Sequence, residues 1–332
     1  MRIIPTIIYD MSRKNAPAIG LILLSALMAG GCAETSDNAA ASDARGAITI
    51  VASTNVYGDI ARAVAGEAAT VTSIITSSTQ DPHEYEASAQ DRLALDDADV
   101  VIENGGGYDP FVDTLMEGSD GDVALLTAVD VSGLPDGHDD GDTSHEDEAA
   151  EDEAHEHVEG FNEHVWYDLH AVEHLAEELS HTLGEIDPEH AENYQANYEA
   201  FARQIEDLEE SAADLRASAA GRGVAITEPL PVYLLEEVGL VNRTPEDFSE
   251  AVEEGADVPP RVLQETLDLF DGTDIALLAY NEQTADSTTE QVRAAAEAAG
   301  VPVVDFTETL PSGQSYVEWQ RANLDNLAAA LG

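Results

Sequence analysis

An α/β protein of two lobes, each a parallel sheet flanked by helices and the two joined by one long helix, is predicted from three observations. Short apolar runs alternate with segments of helical periodicity. A polar-amphipathic stretch over 189–218 contains neither Gly nor Pro. Beyond Gly221 the strand–helix alternation begins again. Strands separated by helices form parallel sheets, because a crossover between parallel neighbours needs a dozen or more residues. A helix of the length spanned by 189–218 runs on the order of 45 Å, enough to cross the whole molecule.

Ahead of the fold, residues 1–31 read as a signal peptide. Arg2, Arg13 and Lys14 make a basic start, and 18–29 is an apolar run too short for a lasting membrane span. Ala29-Gly30-Gly31 then leads into Cys32, the only cysteine. This arrangement resembles a bacterial lipoprotein signal, with Ala29 where such signals more often carry Leu. It implies cleavage before Cys32, lipid on its sulfur, and a protein held to the outer face of the cytoplasmic membrane. Residues 32–46, small and polar, are expected to be a flexible tether.

The first lobe is expected over 47–187. Its apolar run at 48–52 predicts a strand, 55–65 a helix, 69–75 a strand, 88–98 a helix, and 100–103 a strand ending in Asn104-Gly105-Gly106-Gly107. The stretch 134–160 interrupts this alternation, and 168–184 restores a helix. The linking helix is placed in 188–220, with Tyr194, Tyr198, Phe201, Ile205 and Leu208 at helical spacing. The second lobe, 221–332, reads as strands at 224–227, 275–280 and 301–306, with helices at 232–238, 260–270, 288–299 and 316–331.

The interruption is chemically the most informative part. Nine of the ten histidines lie between His138 and His190, and residues 137–160 read GHDDGDTSHEDEAAEDEAHEHVEG. Such a composition cannot build a packed core and predicts a loop. Imidazoles interleaved with carboxylates bind divalent metal ions, so His138, His145, His155 and His157 are candidate auxiliary ligands. A salt-adapted acidic linker with incidental histidines is the alternative.

Net charge narrows the function classes. The formal charge is −55, and Lys14 is the only lysine. Nucleic-acid binding is excluded, since phosphate would be repelled. With Cys32 the lone cysteine, the remainder has no disulfide and no thiolate site, so any metal must be held by His, carboxylates, amides or water.

Four segments carry candidate ligands. Asp81-Pro82-His83-Glu84 follows a strand, where α/β folds present binding loops, and Pro82 restricts the backbone before His83. Phe161 to Leu169 reads FNEHVWYDL, with His164 beside an apolar Val165-Trp166. Glu228 ends the first strand after the long helix. Tyr280-Asn281-Glu282-Gln283-Thr284 ends another. Each alone is ordinary strand-end or core chemistry; two imidazoles from the first lobe and oxygen donors from the second together suggest one interlobe cleft.

From Ile48 to Leu331 the chain resembles the substrate-binding lipoproteins of zinc/manganese ABC importers. The resemblance rests on DPHEYEAS around His83, HVWYDL from His164, the Tyr194/Tyr198 helix, EPLPVYLLEEVGL from Glu228, YNEQT, and ETLPSGQSYVEW. It implies a non-enzymatic, monomeric receptor that delivers Zn(II), ahead of Mn(II), to a membrane permease driven by an ATPase. By position it implies His83 and His164 as ligands. Glu228 falls where zinc-selective relatives carry His and manganese relatives Glu. Asn281, or Glu282 one place on, falls at a fourth ligand that is usually Asp or Glu, with water as the remaining option. Asn162-Glu163 replaces the usual Asp-Pro.

Two other readings stand beside this one. His170-Ala171-Val172-Glu173-His174 fits H-x-x-E-H, an inverted zinc-peptidase signature, though exposed polar residues on a helix would give the same letters. An extracellular metal buffer or adhesin on the same scaffold is the other.

Overall fold

The computed structural model describes residues 47–77, 80, 82–83, 85–117, 123–134 and 161–332. Cys32 and the tether, and His138, His145, His155 and His157, lie outside the described residues. The described residues form one compact unit built around two sheets.

The first half runs β1 (Ile48–Thr54), α1 (Asn55–Ala65), β2 (Ala69–Ile75), α2 (Ala89–Asp96), β3 (Val100–Glu103), α3 (Phe111–Met116), β4 (Ala124–Thr127) and α4 (Ala128–Val131). Beyond residue 161 come α5 (Leu169–Ile186) and α6 (Ala191–Ala219). The second half runs β5 (Gly223–Ile226), α7 (Val232–Glu237), β6 (Val241–Asn242), α8 (Glu246–Glu253), α9 (Pro260–Asp268), β7 (Ile275–Asn281), α10 (Ser287–Ala299), β8 (Val303–Phe306) and α11 (Tyr316–Leu331). Both sheets are four-stranded and wholly parallel, ordered β2-β1-β3-β4 and β6-β5-β7-β8. Sequence periodicity missed α3, β4, α4, β6 and α8. The longest of them, α8, runs only from Glu246 to Glu253, and such elements are too brief to show a period of their own.

In each sheet the chain order reverses at the central pair, β1/β3 and β5/β7, so the carboxyl ends of these strands open a crevice. The two crevices face each other because one apolar core runs through both halves. Val100 and Ile102 of β3, Leu175 and Leu179 of α5, Phe201, Ile205 and Leu208 of α6, Ile226 of β5 and Trp319 of α11 all belong to it. Helix α6 therefore serves as a shared wall, burying Tyr194, Phe201, Ile205, Leu208 and Ala212. Reciprocal hydrogen bonds between Asn55 and the backbone of Leu310 (2.8 and 2.9 Å) add a direct tie, as does Tyr316 N–H to the Asp59 carboxylate at 2.7 Å. Among the described residues no helix is long and apolar enough to cross a membrane.

Candidate metal centre

The first half supplies nitrogen donors set in aromatic packing. His83 follows β2 directly after Pro82, and its ring meets the edge of Tyr108 at 4.9 Å. His164 precedes the tight turn Val165–Tyr167, whose three side chains are all buried. Burial of that apolar triplet fixes the backbone, and His164 goes inward with it. Trp166 packs on Tyr108 at 4.5 Å and on His164 at 5.1 Å. Tyr316 donates its hydroxyl hydrogen to the Trp166 carbonyl at 2.7 Å, and Asp168 then caps α5 through Ala171 N–H at 2.8 Å.

Asn162 sets the His164 tautomer. Its Oδ1 lies 2.7 Å from His164 Nδ1 and also accepts from His164 N–H at 3.2 Å. An amide oxygen can only accept, so Nδ1 carries a proton in either charge state and Nε2 is the nitrogen that can bind a metal once its own proton has left. The same Asn162 reaches across the seam: its Nδ2 donates to the Pro229 carbonyl at 3.1 Å, and Tyr233 donates to its own carbonyl at 2.7 Å. Beneath, the turn after β3 braces Glu163. Asn104 donates to the Glu163 carbonyl at 2.9 Å and accepts from Tyr57, while Asp109 holds the Asn104 and Gly105 N–H groups at 2.7 and 2.9 Å.

The second half supplies oxygen, with one contribution after each strand. Glu228 follows β5, Asn281 ends β7, Glu308 follows β8, and Glu253 closes α8 after β6. Helix α8 buries Phe248 and Ser249, and Glu253, one turn beyond Ser249, shares that inward face. Gly255, at φ +62°, then turns the chain out of the helix. A carboxylate in the last turn opposes the helix dipole, so Glu253 stands where only a facing positive charge makes it comfortable.

That charge comes from the imidazoles. Glu253 Oε1 lies 3.2 Å from His164 Nε2 and 3.5 Å from His83 Nε2, and one donor atom from each of the three falls within 4.8 Å of the others. Donors around a single Zn(II) or Mn(II) at about 2.1 Å sit roughly 3.4 Å apart, so a small contraction would bring all three onto one ion. The other oxygen of Glu253 is buried with no hydrogen-bond partner among the described residues. The side chains of His164 and Glu253 are only 1% and 9% exposed. A cavity of about 640 Å³ opens beside them, between Phe161 to Glu163 on one side and Pro229, Thr244 and Ser249 on the other.

Electrostatics follow from this geometry. Burial is the largest influence on His164 and pulls its pKa down. The charge and hydrogen bond of Glu253 outweigh it, and the net value rises to about 9. His83 moves in the same direction for the same reasons. Burial likewise works against the Glu253 carboxylate, but the two imidazoles hold it well below the usual range. Glu228 is pushed up to about 8, first by burial and then by the charge of Glu253. Protons on the histidines thus occupy, in charge terms, the place of a cation.

The candidate residues divide accordingly. His83 and His164 converge. The third donor that meets them is Glu253, which the sequence did not single out because α8 is short and one glutamate among Glu246, Glu250, Glu253 and Glu254 carries no distinguishing letter. Glu228 lies close enough to feel Glu253 but is committed elsewhere, accepting from Asn281 Nδ2 at 2.6 Å and from the Thr284 hydroxyl. Asn281 also donates to Glu308 at 2.8 Å, and its oxygen accepts from Gln283 N–H at 2.9 Å. It clamps two carboxylates rather than offering a free donor. Glu282, just past the end of β7, is exposed and faces Arg293 at 3.9 Å. The H-x-x-E-H segment lies on α5 and shares no residue with this cluster.

The chain is similar to known metal-binding proteins. A family described as "Zinc-uptake complex component A periplasmic" matches residues 50–330. The manganese-binding lipoprotein MntA of Halalkalibacterium halodurans is 33% identical over 191 residues, covering 57% of this chain and 56% of that one. The chain thus spans little more than half the length of that relative. The iron ABC transporter substrate-binding lipoprotein MtsA of Streptococcus pyogenes is 23% identical over 349 residues, covering 97% and 99%. Among solved structures, the periplasmic zinc-binding protein TroA of Treponema pallidum superposes with a TM-score of 0.67 at 18% identity, covering 86% of this chain and all of that one.

Proposed function

This chain belongs to the zinc-uptake complex component A family, whose members bind solute rather than transform it, and from that premise we propose that it captures a divalent transition-metal ion outside the cytoplasmic membrane for an ABC importer. The observation that carries this is the convergence of His83, His164 and Glu253 on one point in the seam. Two neutral imidazoles and two carboxylates, Glu253 and Glu228, would balance the charge of a divalent ion. Glu228, held by Thr284 and Asn281 and within reach of the charge of Glu253, would supply the remaining position directly or through a water.

Zinc is the proposed cargo, since imidazole-containing sites bind Zn(II) more tightly than Mn(II) whatever their detailed shape. The carboxylate share of the site, together with the manganese named for the MntA relative, supports manganese as the second reading. In either case the ion must displace protons from the histidines. The shared core and the Asn162 bridge oppose a wide hinge opening, so release is assigned to local shifts of the loop bearing His83 and of helix α8 bearing Glu253. The loaded receptor would dock on a permease powered by an ATPase, anchored by lipid on Cys32.

The experiment is competition against a chelating dye with Zn(II) and Mn(II) in parallel. One tight equivalent is expected, lost in His83→Ala and His164→Ala. Wild-type affinity in both variants would overturn the site, and preference for manganese would move the cargo assignment to the second reading.

A further inference from the structure

The H-x-x-E-H segment takes on a different meaning once α6 is packed against it. His170 and Glu173, three apart on α5, share the face turned toward α6, and Glu209 of α6 completes a group whose three donor atoms lie within 4.8 Å of one another. The supporting contacts are those that metal ligands ordinarily have. Tyr198, on the same face of α6 three turns earlier, hydrogen-bonds Glu173. His174 stands beside His170 with ring centroids 4.4 Å apart. Its Nδ1 lies 3.2 Å from the Ser132 carbonyl, which can only accept, so Nε2 is left as the lone-pair nitrogen. Gly133 keeps that ring in place, since a Cβ there would come within 3.2 Å of it.

We propose that His170, Glu173 and Glu209 form a second divalent-cation site, with His174 poised to join it, tying α5 to the long helix α6. Glu173 and Glu209 repel one another across the helix pair, and a bound cation would turn that repulsion into a cross-link. The site differs in kind from the seam: His170 is exposed and both glutamates half-buried, which suits a weaker, exchanging ion. No peptidase chemistry is assigned to it, because Glu173 is itself a ligand in this geometry rather than a free base.

The test is equilibrium dialysis of the full chain against zinc alone, buffered in the micromolar range, with bound zinc counted per chain. His170→Ala and Glu209→Gln should each bind one equivalent fewer than wild type, while a His145→Ala/His157→Ala variant should retain that equivalent. Chelator competition in the same samples should show the tight seam equivalent unchanged, so failure here and failure of the seam site are separable. Equal stoichiometry in wild type, His170→Ala and Glu209→Gln would overturn the proposal.

Discussion

The two faces of the seam are built by opposite means. The face from the first half sets its imidazoles by apolar packing: Tyr108 and Trp166 hold the rings, and one amide, Asn162, fixes a tautomer. The face from the second half sets its carboxylates by polar clamps: Asn281 and Thr284 hold Glu228, and Asn281 holds Glu308. Packing defines a position through many weak contacts and tolerates the loss of one. A clamp of two or three hydrogen bonds gives a finer setting but leaves a buried charge stranded if a partner is lost. The nitrogen face is therefore the rigid reference, and the oxygen face the adjustable one.

The sharpest way to break this comparison is to remove one donor from each face. Metal binding at comparable sites is worth about 10–16 kcal/mol, so one ligand in three or four carries about 3–4 kcal/mol, roughly 300-fold. His164→Ala and Glu253→Gln should each weaken chelator-measured affinity by about that factor. If Glu228→Gln has the larger effect, the donor assignment on the oxygen face is wrong. One step down, supporting residues typically cost 10–100-fold, so about that range is expected for Asn162→Ala and Asn281→Ala. Asn281→Ala should be the worse of the two by the same assay, since it strands two buried carboxylates.

A smaller, graded effect comes from protons. The ion needs the unprotonated imidazole, and the pKa of His164 in the metal-free protein is about 9. Below that pH a proton must leave as the ion enters, so affinity falls as pH falls, by about tenfold per unit for each proton released. Affinity titrated between pH 6 and 9 should show this slope, reduced in His164→Ala. Smallest for binding is Gly105→Ala, which affects the scaffold under Glu163. At φ +77°, with a Cβ placed 2.4 Å from Thr127 Cγ2, it should lower unfolding stability by about 1–3 kcal/mol in a urea titration.

Sequence alone disclosed the nitrogen face and only part of the oxygen face, and the reason is physical. His83 and His164 sit beside punctuation that a reader of letters can see, Pro82 in one case and a buried Val-Trp-Tyr triplet in the other. The long helices α5, α6 and α11 show several turns of periodicity and were legible nearly to their ends. Glu253 lies on a two-turn helix in a chain crowded with glutamates, and its importance comes only from facing two imidazoles across the seam. Glu228 and Asn281 do lie at or just past the ends of β5 and β7, but their division of labour depends on hydrogen bonds that no spacing encodes. Glu282 illustrates the cost of one residue, since just past the strand end the side chain is exposed and faces Arg293 instead of the seam.

The continuous apolar core described for α5, α6 and α11 has a thermodynamic consequence. A protein whose halves share one interior cannot melt one half at a time. Heating should give a single cooperative transition in calorimetry, and cargo held at the seam should raise its midpoint as a whole.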